Sequence, residues 1–377
     1  MASAVRVVAV CLALAFAMGE QLRGEEDDSF VDLGTLGGNQ GSSAAINNSG
    51  QIVGWAINSD DQLRAFLWSE GTMIDLGTLG GSMSRAHGIN DSGQVVGSAG
   101  NSDNLTRAFL WTDGEMMDLG TLGGSLSRAY GINNSGQVVG VADNPDNQSR
   151  AFLWTDGKMI DLGTLEWDSS WAYSINDSGQ VVGWAGAASG ARPRRAFLWS
   201  DGRMIDLGIS ASEISDRLEI LDRMQVLHRT GSEAHDINNA GQVVGWADTL
   251  RGRRAFLWSD GTMNDLGTLG GPRSEAYGIN DLGQIVGWAS HDIRGTQPRA
   301  FLWSDGTMTD LATPDRWDQP KPVAINSSGQ VVGSARNPQV HARPVLWTPN
   351  VKPELEASEE ARPGDPTTED SGEGDGQ

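Results

Sequence analysis

The chain has 377 residues and a formal net charge of −22, from 27 Lys and Arg against 49 Asp and Glu. So acidic a balance excludes nucleic acid as a main partner, because phosphate binding needs a basic face. Apolar residues, at 38%, suffice for a buried core, and the lone cysteine, Cys11, excludes an intrachain disulfide and a Cys-based zinc site.

Arg6 precedes an apolar run from Val7 to Ala17. The run is too short to span a bilayer and fits the apolar region of a secretory signal. Residues 1–19 therefore read as a signal peptide and 20–29 as an acidic leader. The expectation is a secreted or periplasmic protein with no membrane span after cleavage.

From Phe30 the chain repeats itself. Ile-Asn-x-x-Gly-Gln-(Val/Ile)-Val-Gly occurs around Asn47, Asn90, Asn133, Asn176, Asn238, Asn280 and Asn326. Arg-Ala-Phe-Leu-Trp ends at Trp68, Trp111, Trp154, Trp199, Trp258 and Trp303, with a seventh copy, Arg-Pro-Val-Leu-Trp, ending at Trp347. Met-x-Asp-Leu recurs around Asp75, Asp118, Asp161, Asp206, Asp265 and Asp310, and its Asp-Leu-Gly part also stands at Asp32. The first four Asn phrases are 43 residues apart, a period in the range of propeller blades. Four short β-branched or aromatic pieces, a to d, are bounded by turn residues. Asn-x-Ser-Gly between a and b, and Asp-Gly between c and d, suit tight hairpins with glycine at positive φ.

The pattern predicts an all-β fold over residues 30–349: a seven-bladed β-propeller with four antiparallel strands per blade. The chain opens on a d piece and closes on an a-b-c set. The N-terminal strand should therefore complete the last blade and close the ring, removing both free sheet edges. Residues 211–228 interrupt the array. Ile214, Leu218, Leu221 and Met224 at helical spacing predict a decorating helix there. Residues 350–377 are acidic and lack aromatics, which predicts a disordered tail.

These phrases resemble the HAF-repeat family of probable extracellular bacterial proteins, which takes its name from His-Ala-Phe. Arg64, Arg107, Arg150, Arg195, Arg254 and Arg299 stand at the His position of that motif. The resemblance covers about Val31 to Trp347. It implies an exported repeat protein and brings no catalytic residues.

Eleven of the fourteen Trp recur at fixed strand positions and read as packing residues. Trp167, Trp171 and Trp317 do not recur, and all lie in junctions from a d to an a strand. Those junctions share one propeller face with the b-to-c loops, which bring Arg192, Arg194, Arg251, Arg253 and Arg294. The a strands add a ring of positions, Ala44, His87, Tyr130, Tyr173, His235, Tyr277 and Val323, each preceded by a variable residue such as Arg85, Arg128, Trp171, Glu233 or Glu275. His87 and His235 fall on distant blades and form no metal site.

Variable loops over a uniform frame are how scaffolds display binding surfaces. Indole faces and guanidinium forks favour an anionic polysaccharide or an acidic protein patch. The leading expectation is a monomeric, noncatalytic, cofactor-free binding module for a glycan or protein. The alternative is an envelope polysaccharide hydrolase or lyase at the channel mouth, although no nucleophile triad, zinc motif or phosphate loop appears.

Overall fold

A computed structural model of the chain describes residues 29–187, 193–208, 231–249, 252–295, 297–337 and 341–349. Cys11, the expected signal peptide, nearly all of the acidic leader, the 211–228 helix, the acidic tail, Arg192 and Arg251 lie outside the described residues.

Among the described residues, 28 strands form seven four-stranded antiparallel sheets, each a blade. In blade one, strand a is Gly37–Ile46, b is Ile52–Asn58, c is Leu63–Ser69 and d is Thr72–Asp75. Each a strand touches the a strands of both neighbouring blades, so the sheets close into a ring around a central channel. The fold is the seven-bladed β-propeller that the repeat phrases predict.

Closure uses the N-terminal strand. Blade seven takes its a, b and c strands from Asp318–Ile325, Val331–Asn337 and His341–Trp347, and its d strand from Phe30–Asp32. The last pairing places Phe30 opposite Trp347 and Asp32 opposite Val345. Phe30 then packs its ring 5.4 Å from Trp347 and 5.5 Å from Trp317.

Local chemistry explains the repeat. The c–d turns place Asp113-Gly114, Asp156-Gly157, Asp201-Gly202, Asp260-Gly261 and Asp305-Gly306 at positive φ, the geometry of a two-residue hairpin loop. Arginines of the c strands reach the aspartates of their d strands at 3.1 to 4.0 Å in six blades, including Arg343 to Asp32 across the closing pair. Such exposed pairs contribute little each, but they fix the register of the outer strands.

The b-strand glycine has a steric cause. Every a strand carries a bulge at its ring position, and the bulge pushes a carbonyl toward strand b. A Cβ on Gly97 would sit 2.0 Å from the Arg85 carbonyl oxygen and 2.8 Å from the Phe109 ring. Only glycine admits both neighbours.

Packing lies between blades as well as within them. Seven apolar clusters occupy the blade interfaces; one joins Val96, Ala108 and Leu110 of blade two to Ala129, Val138 and Phe152 of blade three. Buried a-strand serines bridge the same interfaces. Ser84 Oγ accepts from the Ala65 amide at 2.9 Å and donates to the Gly77 carbonyl at 2.5 Å, and Ser127, Ser170 and Ser274 repeat the pair of bonds.

At the a–b turns, seven buried asparagines complete the ring. Each Nδ2 donates to the carbonyl of the next blade's asparagine, from Asn47 to Asn90 through to Asn326 back to Asn47, at 2.9 to 3.1 Å.

Phe30→Ala should cost about 3 kcal/mol, the usual penalty for emptying a buried aromatic site, and lower the melting temperature of the whole ring by several degrees. Val31→Ser, at the half-exposed neighbour, should leave melting nearly unchanged. Equal melting of Phe30→Ala and the parent chain in scanning calorimetry would show that the closing strand does not bind the ring.

Candidate functional site

The bulges build the site. An inserted residue breaks strand alternation and re-aims its side chain, and here it brings neighbouring blades' ring residues into contact. Ring centroids are 5.1 Å apart for His87–Tyr130, 5.6 Å for Tyr130–Tyr173, 5.8 Å for Tyr173–His235 and 5.1 Å for His235–Tyr277. The five form one aromatic arc over blades two to six, while blades one and seven place Ala44 and Val323 there.

Residues eleven positions on, in strand b, orient the arc. Trp184 Nε1 donates to the Tyr173 hydroxyl and Trp288 Nε1 to the Tyr277 hydroxyl, both at 3.0 Å. His87 Nε2 lies 3.3 Å from Ser98 Oγ. The b-strand tryptophans that read as packing residues therefore also hold the site.

Two residues before each ring position lies a second tier: Arg85, Arg128, Trp171, Glu233, Glu275 and Lys321 on blades two to seven. Trp171 has its ring centroid 6.0 Å from that of Tyr130 and 5.8 Å from that of Trp184, each at 22°. The Arg194 guanidinium lies 4.3 Å over Trp184 and pairs with Glu233. The Arg253 guanidinium lies 3.5 Å over Trp246 and bonds Glu275 at 2.7 Å and Asp248 at 3.3 Å. Glu275 also accepts from the Tyr277 hydroxyl at 2.7 Å. His235 donates from Nδ1 to the Ala276 carbonyl at 2.8 Å and turns Nε2 toward Glu233 at 3.6 Å. Arg194, Glu233, His235, Trp246, Arg253, Glu275 and Tyr277 line an open depression of about 430 Å³.

Burial works against ionisation of Glu233, but bonds from His235 and Arg194 outweigh it and hold the carboxyl below its ordinary range. Burial, reinforced by Glu233 and Glu275, raises the Tyr173 and Tyr277 hydroxyls well above theirs. Asp236, where blades two, three and six carry glycine, faces the opposite mouth of the channel. It accepts from Ser174 Oγ at 2.6 Å and from the Ile279 amide at 2.9 Å, and burial raises its carboxyl.

Of the residues singled out in the sequence, the structure brings together Trp171, Arg194, Arg253 and the arc His87, Tyr130, Tyr173, His235 and Tyr277. Trp317 is a correction to the expected surface set: it is 8% exposed and packs in the blade six–seven core with Phe30. Trp167 is half-buried and packs against the core cluster at the blade four interface. Arg294 is exposed in a blade-six loop, outside the lining of that depression. Sequence reasoning did not count Glu233 and Glu275 among the site residues, nor Trp184 and Trp246. The available signal was two acids on adjacent blades at one register, each preceded by arginines at the b-to-c connection of the blade before. Among the described residues no group of three His, Cys, Asp or Glu is placed to hold a metal, and no helix is long and apolar enough to cross a membrane.

A family described as a protein of unknown function, DUF3466, matches residues 154–269, about a third of the chain. No curated protein sequence matches. Among solved structures, a Mycobacterium tuberculosis puromycin-hydrolyzing peptidase is similar with a TM-score of 0.56 and 12% identity, over 82% of this chain and 51% of that one. The β-propeller domain of the Trilobed protease from Pyrococcus furiosus is similar with a TM-score of 0.52 and 10% identity, over 82% of this chain and 95% of that one. That domain is described as having an open velcro topology, whereas the present ring is joined by paired strands. A puromycin hydrolase is similar with a TM-score of 0.54 and 14% identity, over 84% of this chain and 53% of that one. The chain spans about half the length of the puromycin-hydrolyzing peptidase and of the puromycin hydrolase, and at such identities the likeness establishes the propeller fold alone.

His87 yields a pH prediction. Burial first, then the charges of Arg85 and Arg128, lowers its imidazole from 6.5 to about 4. The unfolded chain takes up this proton as pH falls through 6.5, while the folded protein resists until about 4. The stabilisation is complete above 6.5 and is lost across that window. The loss is at most about 3 kcal/mol, since part of the ring still faces the channel. His87→Tyr, which installs the residue of blades three, four and six, should flatten denaturant-measured stability between pH 6.5 and 4. An unchanged slope would show that His87 does not carry this acid sensitivity.

Proposed function

We propose that the protein is an exported, noncatalytic binding module that takes a glycan at the aromatic and ion-paired mouth of blades four to six. The observation that carries this reading is the charge-balanced depression beside a stacked indole. Trp171 adjoins Tyr130 and Trp184, next to guanidinium donors and carboxylate acceptors fixed by Arg194–Glu233 and Arg253–Glu275. Sugar rings offer apolar faces for indoles and paired hydroxyls that donate to carboxylates while accepting from guanidinium groups. The protonation states also favour binding over turnover. Glu233 is held ionised and the Tyr173 and Tyr277 hydroxyls are held neutral, so these three are fixed hydrogen-bond partners rather than groups poised to exchange protons near neutral pH. The apolar run Val7–Ala17 supports export.

The experiment is binding of the mature chain to an immobilised polysaccharide panel, with melting measured in parallel. Trp171→Ala should weaken binding on the order of tenfold, the worth of about one aromatic contact, with little change in melting. A folded Trp171→Ala protein that binds as tightly as the parent contradicts a site on this mouth.

A further inference from the structure

The mouth has a second half. Arg85 and Arg128 occupy one register on adjacent blades, two and three, in the tier that carries Trp171, Glu233 and Glu275 on the next three blades. Both flank His87 closely enough to disfavour its protonation. Arg85 lies 5.8 Å over Trp55, and the charge of Arg128 offsets part of the burial that raises the Tyr130 hydroxyl. Among the described residues neither has an ion-pair partner, whereas Arg194 and Arg253 are matched by Glu233 and Glu275, and six c-strand arginines by d-strand aspartates. In a chain with 49 acidic side chains, two adjacent guanidinium groups without an acid between them leave a local positive potential against a negative background. Guanidinium donors are suited to a planar anion. The aromatic step from Tyr130 to Trp171 joins it to the charge-balanced half.

We propose that Arg85 and Arg128 form an anion subsite that receives the carboxylate of an acidic saccharide whose neighbouring sugar stacks at Trp171. This rests on the glycan reading and adds the charge of the ligand. It also relocates the anion recognition expected of the loop arginines. Arg194 and Arg253 already spend guanidinium donors on internal carboxylates, and a ligand anion placed there would meet Glu233 and Glu275.

The test compares oligogalacturonate with a neutral dextran oligosaccharide of similar length, by calorimetry, on the full mature chain, on Arg85→Gln, on Arg128→Gln and on the double variant. Glutamine keeps much of the stem and a hydrogen-bond donor, so folding, checked by melting, should persist. The parent should prefer oligogalacturonate, and raising salt should weaken that preference, as screening requires. The double variant should lose at least about tenfold in oligogalacturonate affinity, the loss of charge-assisted bonds, while neutral dextran binding stays unchanged. Equal binding of the two oligosaccharides by the parent, or a folded double variant that keeps the preference, overturns the anion subsite and leaves the glycan reading standing. Parent protein that binds neither overturns both.

Discussion

Seven asparagine side chains close this molecule on itself. Each of Asn47, Asn90, Asn133, Asn176, Asn238, Asn280 and Asn326 turns its amide nitrogen to the next blade's backbone carbonyl and to the glutamine four residues on in its own turn. Its amide oxygen accepts that glutamine's backbone N–H. All seven are at most 5% exposed, so a missing partner would leave a buried polar group unsatisfied, at a cost of about 1 to 3 kcal/mol. A linear array would leave its last asparagine without its inter-blade acceptor; the ring supplies one to each. The same geometry sets every a strand at one depth, which is why the bulges above them place one residue per blade around the channel.

A frame this regular makes departures from it informative. The alternating Asn48, Asp91, Asn134, Asp177, Asn239 and Asp281 around the turn-side mouth bond each other from blade to blade, so that mouth is internally satisfied. The opposite mouth is not symmetric. Guanidinium groups without acid partners among the described residues stand on blades two and three, a stacked indole on blade four and paired ions on blades five and six. The uniform a-b-c-d frame carries stability, and the second tier of the a strands carries difference.

Much of this was legible in the residues. The blade count, the c–d hairpins and the closing strand followed from phrases that recur with their turn residues, because turn chemistry is local. The ring of His87, Tyr130, Tyr173, His235 and Tyr277 was also visible as a column in the repeat. The bulge that aims those side chains was not, since an extra residue in one strand is defined by its partner strand. Its one trace is the b-strand glycine, which reads as ordinary strand punctuation until Arg85 O is seen against Gly97. Trp317 was misleading for a related reason. It breaks the repeat, yet it does so to fill the blade six–seven interface beside Phe30, a contact more than 280 positions away along the chain. The carboxylates that match Arg194 and Arg253 come from the neighbouring blades five and six. Spacing along the chain gives no sign of that pairing.

The account assigns recognition to one mouth of the channel and stability to everything else. Hydroxyl-radical footprinting of the protein with and without a bound oligosaccharide tests this most directly, because reactive side chains lie on both kinds of surface. Protection is predicted at Trp171, Tyr130 and Tyr277, with unchanged oxidation of Met117, which is 47% exposed on an outer strand. Protection of Met117 and the other outer-strand residues, with Trp171 still oxidised as in the free protein, would contradict the account and place recognition on the rim.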